Sequence, residues 1–306
     1  MSKKHTKIAI AYDFDETLAK GNIQENSFIP DLGITKREFW KEVKVLSEQN
    51  EMDEILSYMY LLISKAKASS TVKFDKKSLK EHGKTVKYFD GVEEYFNRIN
   101  EYARNKHVKL EHYIISSGTK EMIEGTSIAK NFKYIYASSF KYDQHSVPEW
   151  PALAINYTTK TQYLFRINKG IDSAWDSSKI NEYTPEEDRP IPFRHMIYIG
   201  DGFTDVPAMK IVNSQGGTSI GVYEPKTRQK CKVENLLNQK RVTYVAPADY
   251  TEGKPLDSIL KAVIDQISAR CSIEQYSQSK KKKEISSEDQ QSSINNTPDD
   301  SNNGAI

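Results

Sequence analysis

The chain alternates between short apolar runs and stretches of helical spacing. Residues 7–14 form an apolar run that ends in acidic residues. An unbroken apolar run of this length reads as a parallel strand covered on both faces. Residues 20–88 have a different texture. Thr35-x-x-Glu38 is a capping-box pattern, followed at helical spacing by Phe39, Val43 and Leu46. Ile55, Met59, Leu62 and Ile63 mark a second helix, and a third begins near Asp75. Val92, Phe96 and Ile99 share one face of a helix over 90–104, and residues 111–115 form a strand ending at Ser116-Ser117-Gly118. A helix is expected from Lys120, strands and a small hairpin over 134–157, and a helix over 160–168. Residues 170–194 are polar, carry Pro185 and Pro190, and read as an excursion more suited to covering an edge strand than to bordering a site. A strand over 195–199 runs into Gly200-Asp201-Gly202, and Thr204 and Pro207 mark a helix start. Strands are expected at 218–222 and 242–246, and a last helix carries Leu256, Ile259, Leu260, Val263 and Ile267.

This alternation predicts an α/β protein with a Rossmann-like parallel sheet core and an inserted small helical domain. The core comprises residues 1–19 and 89–273, and the insertion residues 20–88. Residues 274–306 lack apolar periodicity and read as a disordered, solvated tail, its lysines at 280–283 included. A length of 306 residues suits one large domain with an insertion.

Composition removes several classes of function. Lys plus Arg total 44 against 42 Asp plus Glu, a net charge of +2, so no global field points to nucleic acid or membrane. Two cysteines, Cys231 and Cys271, provide no disulfide framework, and the six histidines form no paired ligand motif. Any metal would therefore be a hard cation on oxygen ligands. The N-terminal apolar run is too short for a signal peptide, and no stretch reaches transmembrane length. A reducing cytoplasm is the expected location.

Four places carry candidate chemistry. Asp13-Phe14-Asp15-Glu16-Thr17 follows the first strand. A carboxylate can attack phosphorus, and a second carboxyl beside it can protonate a leaving alkoxide and then activate water. The bland alternative is an acidic turn. Gly200-Asp201-Gly202-Phe203-Thr204-Asp205 again places carboxylates after a strand, where they can hold a hard cation. For Asp205 the competing role is helix capping. Ser116, Ser117 and Gly118 offer hydroxyls and backbone N–H groups to a phosphate, with Ser116 directly after its strand. Lys160 stands at a helix start, where the helix dipole disfavours a cation unless an anion lies beside it. Lys169 is its competitor. Trp40 falls at a spacing that favours packing within the insertion over lining a pocket.

In combination these motifs resemble the haloacid dehalogenase superfamily, in its phosphatase branch. DFDET at 13–17 is similar to the family's DxDx[TV] motif, and GDGFTD at 200–205 to its terminal acidic motif. The resemblance spans roughly residues 7–270. It implies that Asp13 is the nucleophile and forms an aspartyl-phosphate, and that Asp15 is general acid and then base. Thr17 would support the loop. Ser116, with Ser117 and Gly118, would bind the phosphoryl oxygens, and Lys160 would neutralise charge. Magnesium would be held by Asp13, the Asp15 backbone carbonyl, Asp201 and Asp205. The position of the insertion implies a C1-type cap, as in phosphoserine phosphatase-like members, and a small phosphate monoester as substrate. Asp15 and the acidic terminal motif argue against the halide-displacing branch. The absence of membrane helices argues against the pump branch. A phosphotransferase using the same intermediate and a non-catalytic module that binds a phosphate ligand remain as alternatives.

Overall fold

The computed structural model describes residues 6–225, 227 and 229–294. Its centre is a seven-stranded sheet: β1 (Thr6–Tyr12), β2 (Val108–Thr119), β3 (Tyr134–Tyr142), β4 (Pro148–Leu153), β5 (Met196–Gly200), β6 (Thr218–Tyr223) and β7 (Tyr244–Pro247). The spatial order is β4-β3-β2-β1-β5-β6-β7. All pairings are parallel except the β3–β4 hairpin, which forms one edge. The chain leaves β1 toward β2 and later returns to its other side as β5. The carboxyl ends of β1, β2 and β5 therefore flank the crevice where such sheets bind ligands.

Strand parity divides the core. Ile8, Ile10 and Tyr12 point into one buried cluster, whereas Ala9 and Ala11 point into the other. The same alternation sends Ile197 and Ile199 to the first cluster and Met196 and Tyr198 to the second. The first cluster is completed by α5 (Val92–Asn105), by α11 (Pro255–Ile294) and by the insertion. The second is completed by α7 (Lys160–Lys169), α9 (Val206–Ser214) and α10 (Gln229–Asn238). Inside the first cluster the Tyr12 hydroxyl lies 2.9 Å from both the Tyr95 hydroxyl and His112 Nδ1, a polar network sealed beneath the sheet.

The insertion consists of α1 (Phe28–Asp31), α2 (Lys36–Asn50), α3 (Glu54–Ala68) and α4 (Lys76–Gly83). The capping box at Thr35 and Glu38 is formed in both directions. Its apolar residues Phe39, Val43, Met59 and Leu62 are fully buried and continuous with the first core cluster. Helix α4 packs on α6 (Lys120–Glu124), and α3 packs on β4.

Two expectations change. The polar excursion contains α8 (Ser178–Asn181) and is tied to α7 rather than to an edge strand. Arg166 donates to the Ser173 and Asp176 carbonyls, and Asn168 to the Ile191 carbonyl. The edges are packed instead by α3 on β4 and by α10 and α11 on β7. Buried polar groups at the end of α7 needed partners, and the excursion's carbonyls supply them. The expected disordered tail is helical as far as Ile294, because α11 runs on without a break. Extending a helix already nucleated on the core costs far less than starting one, and Lys, Glu and Gln suit that extension. Residues 295–306 of that tail lie outside the described residues.

Candidate active site

Asp13 directly follows β1, and its backbone N–H donates to the Ile199 carbonyl at 2.9 Å, which fixes its position beside β5. Phe14 is fully buried and pins the loop to the core between the two aspartates. Asp15 is half-buried, and its Oδ1 accepts the Ile23 N–H at 2.8 Å. Glu16 then turns with φ 55°, a left-handed conformation that costs a non-glycine residue energy and sharpens the loop. Thr17 is buried, and its carbonyl accepts the Tyr250 hydroxyl at 3.0 Å.

From the other side of the crevice, Lys160 is the first residue of α7 and has no exposed surface. Its ammonium lies 3.0 Å from Asp13 Oδ2 and 2.7 Å from Asp205 Oδ1. A cation at a helix start is thus balanced by two carboxylates. Asp205 also accepts the Tyr198 hydroxyl at 2.7 Å. It occupies the N-cap of α9, but its side chain makes no capping hydrogen bond, so capping does not explain it. Asp205 Oδ2 is buried without a hydrogen-bond partner among the described residues. Gly200 is required here, because a Cβ on it would come within 2.2 Å of that oxygen. Lys169 points elsewhere, toward the Ile180 and Glu182 carbonyls.

Carboxylate oxygens of Asp13, Asp201 and Asp205 lie within 4.8 Å of one another. Burial and the Asp205 charge push the Asp13 carboxyl up to about 6, against the opposing pull of Lys160. Burial and Asp13 hold Asp15 well above the usual carboxylate range, and burial with Asp205 and Asp13 does the same for Asp201. Burial alone would lower the Lys160 ammonium, but Asp13 and Asp205 raise it above its ordinary value. Among the described residues, four carboxylates therefore gather around one committed ammonium, and Asp205 Oδ2 has no partner. That donor set fits a hard divalent cation on oxygen ligands.

The β2 end completes the floor. Ser116 is buried, and its Oγ accepts the Gly118 N–H at 3.0 Å where the β2–β3 register shifts. A Cβ on Gly118 would meet Asp15 Oδ2 at 2.8 Å and Ser116 Oγ at 3.2 Å, so the glycine lets the two motifs touch. Ser117 lines the open cavity, and its carbonyl accepts the Tyr58 hydroxyl at 2.6 Å. The cavity measures about 360 Å³ and is walled by Asp13, Asp15 and Asp201 below and by Trp40, Ile55 and Tyr58 of the insertion above. Trp40 therefore both packs on the core and faces the cavity.

The structure thus gathers Asp13, Asp15, Ser117 and Asp201 around one cavity, with Ser116, Gly118, Lys160 and Asp205 directly beneath. Thr17 sits behind the loop. Tyr198, Tyr58 and Gln24 were not legible in the sequence. Strand parity places Tyr198 on the β5 face that carries α7 and α9, the only available signal. Tyr58 and Gln24 reach the site through tertiary packing alone.

Comparison with known proteins agrees with this arrangement. Residues 10–210 match the family of haloacid dehalogenase-like hydrolases. An uncharacterized protein of Borreliella burgdorferi is 30% identical over 282 residues, covering 84% of this chain and 96% of that protein. A substrate-bound phosphoserine phosphatase shares the fold with a TM-score of 0.52 at 14% identity, over 85% of this chain and 99% of that one. A probable phosphoserine phosphatase from Vibrio cholerae gives 0.53 at 13% identity, over 87% of this chain and 67% of that one. With its family match spanning both acidic motifs, the chain belongs to the haloacid dehalogenase-like hydrolases.

Proposed function

We propose that this chain is a magnesium-dependent phosphatase that hydrolyses a small phosphate monoester through an aspartyl-phosphate on Asp13. The observation that carries the reading is the buried Lys160 ammonium bridging Asp13 and Asp205 at the cavity floor. It holds a carboxylate nucleophile beside a cation able to neutralise a phosphoryl group. Phosphoryl transfer is mainly positioning plus charge stabilisation, and this floor supplies both.

In the first half-reaction a carboxylate oxygen of Asp13 forms a bond to phosphorus as the ester P–O bond breaks. The departing alkoxide takes the proton of Asp15, whose raised pKa favours the protonated form this step needs. In the second, a water oxygen bonds to phosphorus and the bond from Asp13 breaks. The water's proton passes to Asp15, which restores the starting state. Lys160 screens charge on Asp13 and the phosphoryl oxygens throughout, while Ser116 and Ser117 orient those oxygens and the Gly118 N–H holds Ser116 Oγ in place. Asp13, Asp201 and Asp205, with the Asp15 carbonyl, would hold the magnesium ion. When bound, it supplies Lewis-acid neutralisation of the phosphoryl charge.

Residues 20–88 act in this reading as a cap on a core of 1–19 and 89–273, excluding bulk water from the intermediate. The walls that α2 and α3 give the cavity support this role. Two unpaired cysteines suit a reducing cytoplasm. No helix among the described residues is long and apolar enough to cross a membrane. Hydrolysis of a monoester panel with magnesium or with a chelator tests the proposal. Turnover that disappears with the chelator supports it, and turnover equal under both conditions contradicts it.

A further inference from the structure

The cavity wall above the aspartates differs from what an anionic leaving group would need. It is formed by Asn22, Gln24, Trp40, Glu54, Ile55 and Tyr58. Among the described residues lining the cavity there is no Lys, Arg or His. Lys160, the cation at its floor among the described residues, is committed to Asp13 and Asp205. A carboxylate on the leaving group would therefore meet Glu54 with no counter-charge among the described lining residues.

The same wall suits a cation that donates hydrogen bonds. Gln24 is 2% exposed, and its Oε1 is buried without a hydrogen-bond partner among the described residues. A buried acceptor of this kind calls for an N–H or O–H donor from a ligand. Trp40 is fixed because its Nε1 donates to Glu25 Oε1 at 2.7 Å. Tyr58 is fixed through the Ser117 carbonyl. The two rings meet edge to face, with centroids 5.9 Å apart and planes at 68°. Fixed aromatic rings beside carboxylates attract an ammonium. Glu54, exposed in the first turn of α3, adds a negative charge at the cavity's edge.

Resting on the hydrolase reading above, we infer that the substrate is a phosphate monoester of a small amino alcohol. Its protonated primary amine lies among Gln24, Glu54, Trp40 and Tyr58. A neutral alcohol could satisfy Gln24 but would gain nothing from Glu54 or the rings. A quaternary ammonium would gain from the rings but has no N–H for Gln24. Hydrolysis consumes the ester and one water and releases the amino alcohol and inorganic phosphate. The P–O ester bond breaks, the alkoxide takes the Asp15 proton, and the ammonium is unchanged.

The test compares kcat/KM of the full chain with magnesium for 2-aminoethyl phosphate, propyl phosphate, phosphoserine and choline phosphate. The expected result is a preference of about tenfold or more for 2-aminoethyl phosphate over propyl phosphate. Phosphoserine and choline phosphate fall below 2-aminoethyl phosphate. In Glu54→Gln and in Gln24→Met the ratio of 2-aminoethyl to propyl phosphate shrinks toward one. Glu54 is exposed, so the first variant keeps the test readable if the second fails to fold. Equal rates on the amine and propyl esters, or a preference for phosphoserine, overturn the inference while leaving the hydrolase reading intact. Failure to hydrolyse any of the four overturns the inference, and the hydrolase reading falls with it only if the wider monoester panel also gives no turnover.

Discussion

Lys160 is the residue on which the site depends most. A fully buried ammonium with two carboxylate partners is stabilised by them and stabilises them in return. In Lys160→Met, Asp13 and Asp205 face each other with no cation between them. Breaking such a buried set by removing one partner typically destabilises by about 3–5 kcal/mol. Denaturant unfolding of the metal-free variant at pH 8 should show a loss of that order. The loss should shrink at pH 5, where Asp13, already raised to about 6, takes up a proton. An unchanged midpoint at pH 8 would contradict the pairing. The position was legible because a lysine opening a helix is electrostatically awkward without an anion. Tyr198, which shares Asp205 Oδ1 with it, was not, because a tyrosine in an apolar strand looks like any core aromatic until the chain returns at Asp205.

At the scale of elements, the fold was legible wherever a period was long and clean. The run from Ile8 to Tyr12 and the amphipathic stretch of α5 appear as expected, since both are set by burial on a sheet face. The excursion was misread because its role lies in carbonyls that satisfy α7, and composition does not reveal backbone acceptors. Helix α3 shows how the insertion is held. Asp53 caps it by accepting from the Ile55 and Leu56 N–H groups, and its Oδ2 also accepts from Asn156 Nδ2 at 2.8 Å. Asn156 lies just before the α7 helix that begins with Lys160. Asp53→Ala removes both the cap and this link between insertion and core, so thermal unfolding should register a loss of about 1–2 kcal/mol. KM should rise more than kcat falls, because the cavity wall loosens while the nucleophile stays in place. A fall in kcat alone would contradict that division.

Over the whole molecule, two sets of groups give stability opposite slopes with pH. Burial pushes His112 down to about 3, so between that value and its unfolded value near 6.5 the unfolded chain binds the extra proton. Stability is therefore full above pH 6.5 and falls on acidification, by about 2 kcal/mol at pH 5. His112→Gln should flatten this acid limb in pH-dependent unfolding; an unchanged limb would place its origin elsewhere. Asp13 acts in the other direction. Its carboxyl is raised from 3.8 to about 6, so the folded state holds a proton that the unfolded state has lost, and this advantage disappears as pH rises through 6. A divalent cation held by the carboxylate cluster would relieve the repulsion. Magnesium should then raise the melting temperature more at pH 8 than at pH 5, and a shift independent of pH would argue against the cluster as its site. The acidic motifs foretold such a cluster, but its depth and its single ammonium emerge only when β1, β5 and α7 are brought together.

The central claim is that Asp13 becomes phosphorylated during turnover. It is tested most directly by mixing the enzyme with magnesium and an excess of a hydrolysed ester, quenching in acid within a turnover, and mapping peptides by mass spectrometry. The account predicts one phosphoryl group on Asp13 in the wild-type chain and none in Asp13→Asn. Inorganic phosphate formed without any protein-bound phosphoryl group, or a phosphoryl group on another residue, would contradict it.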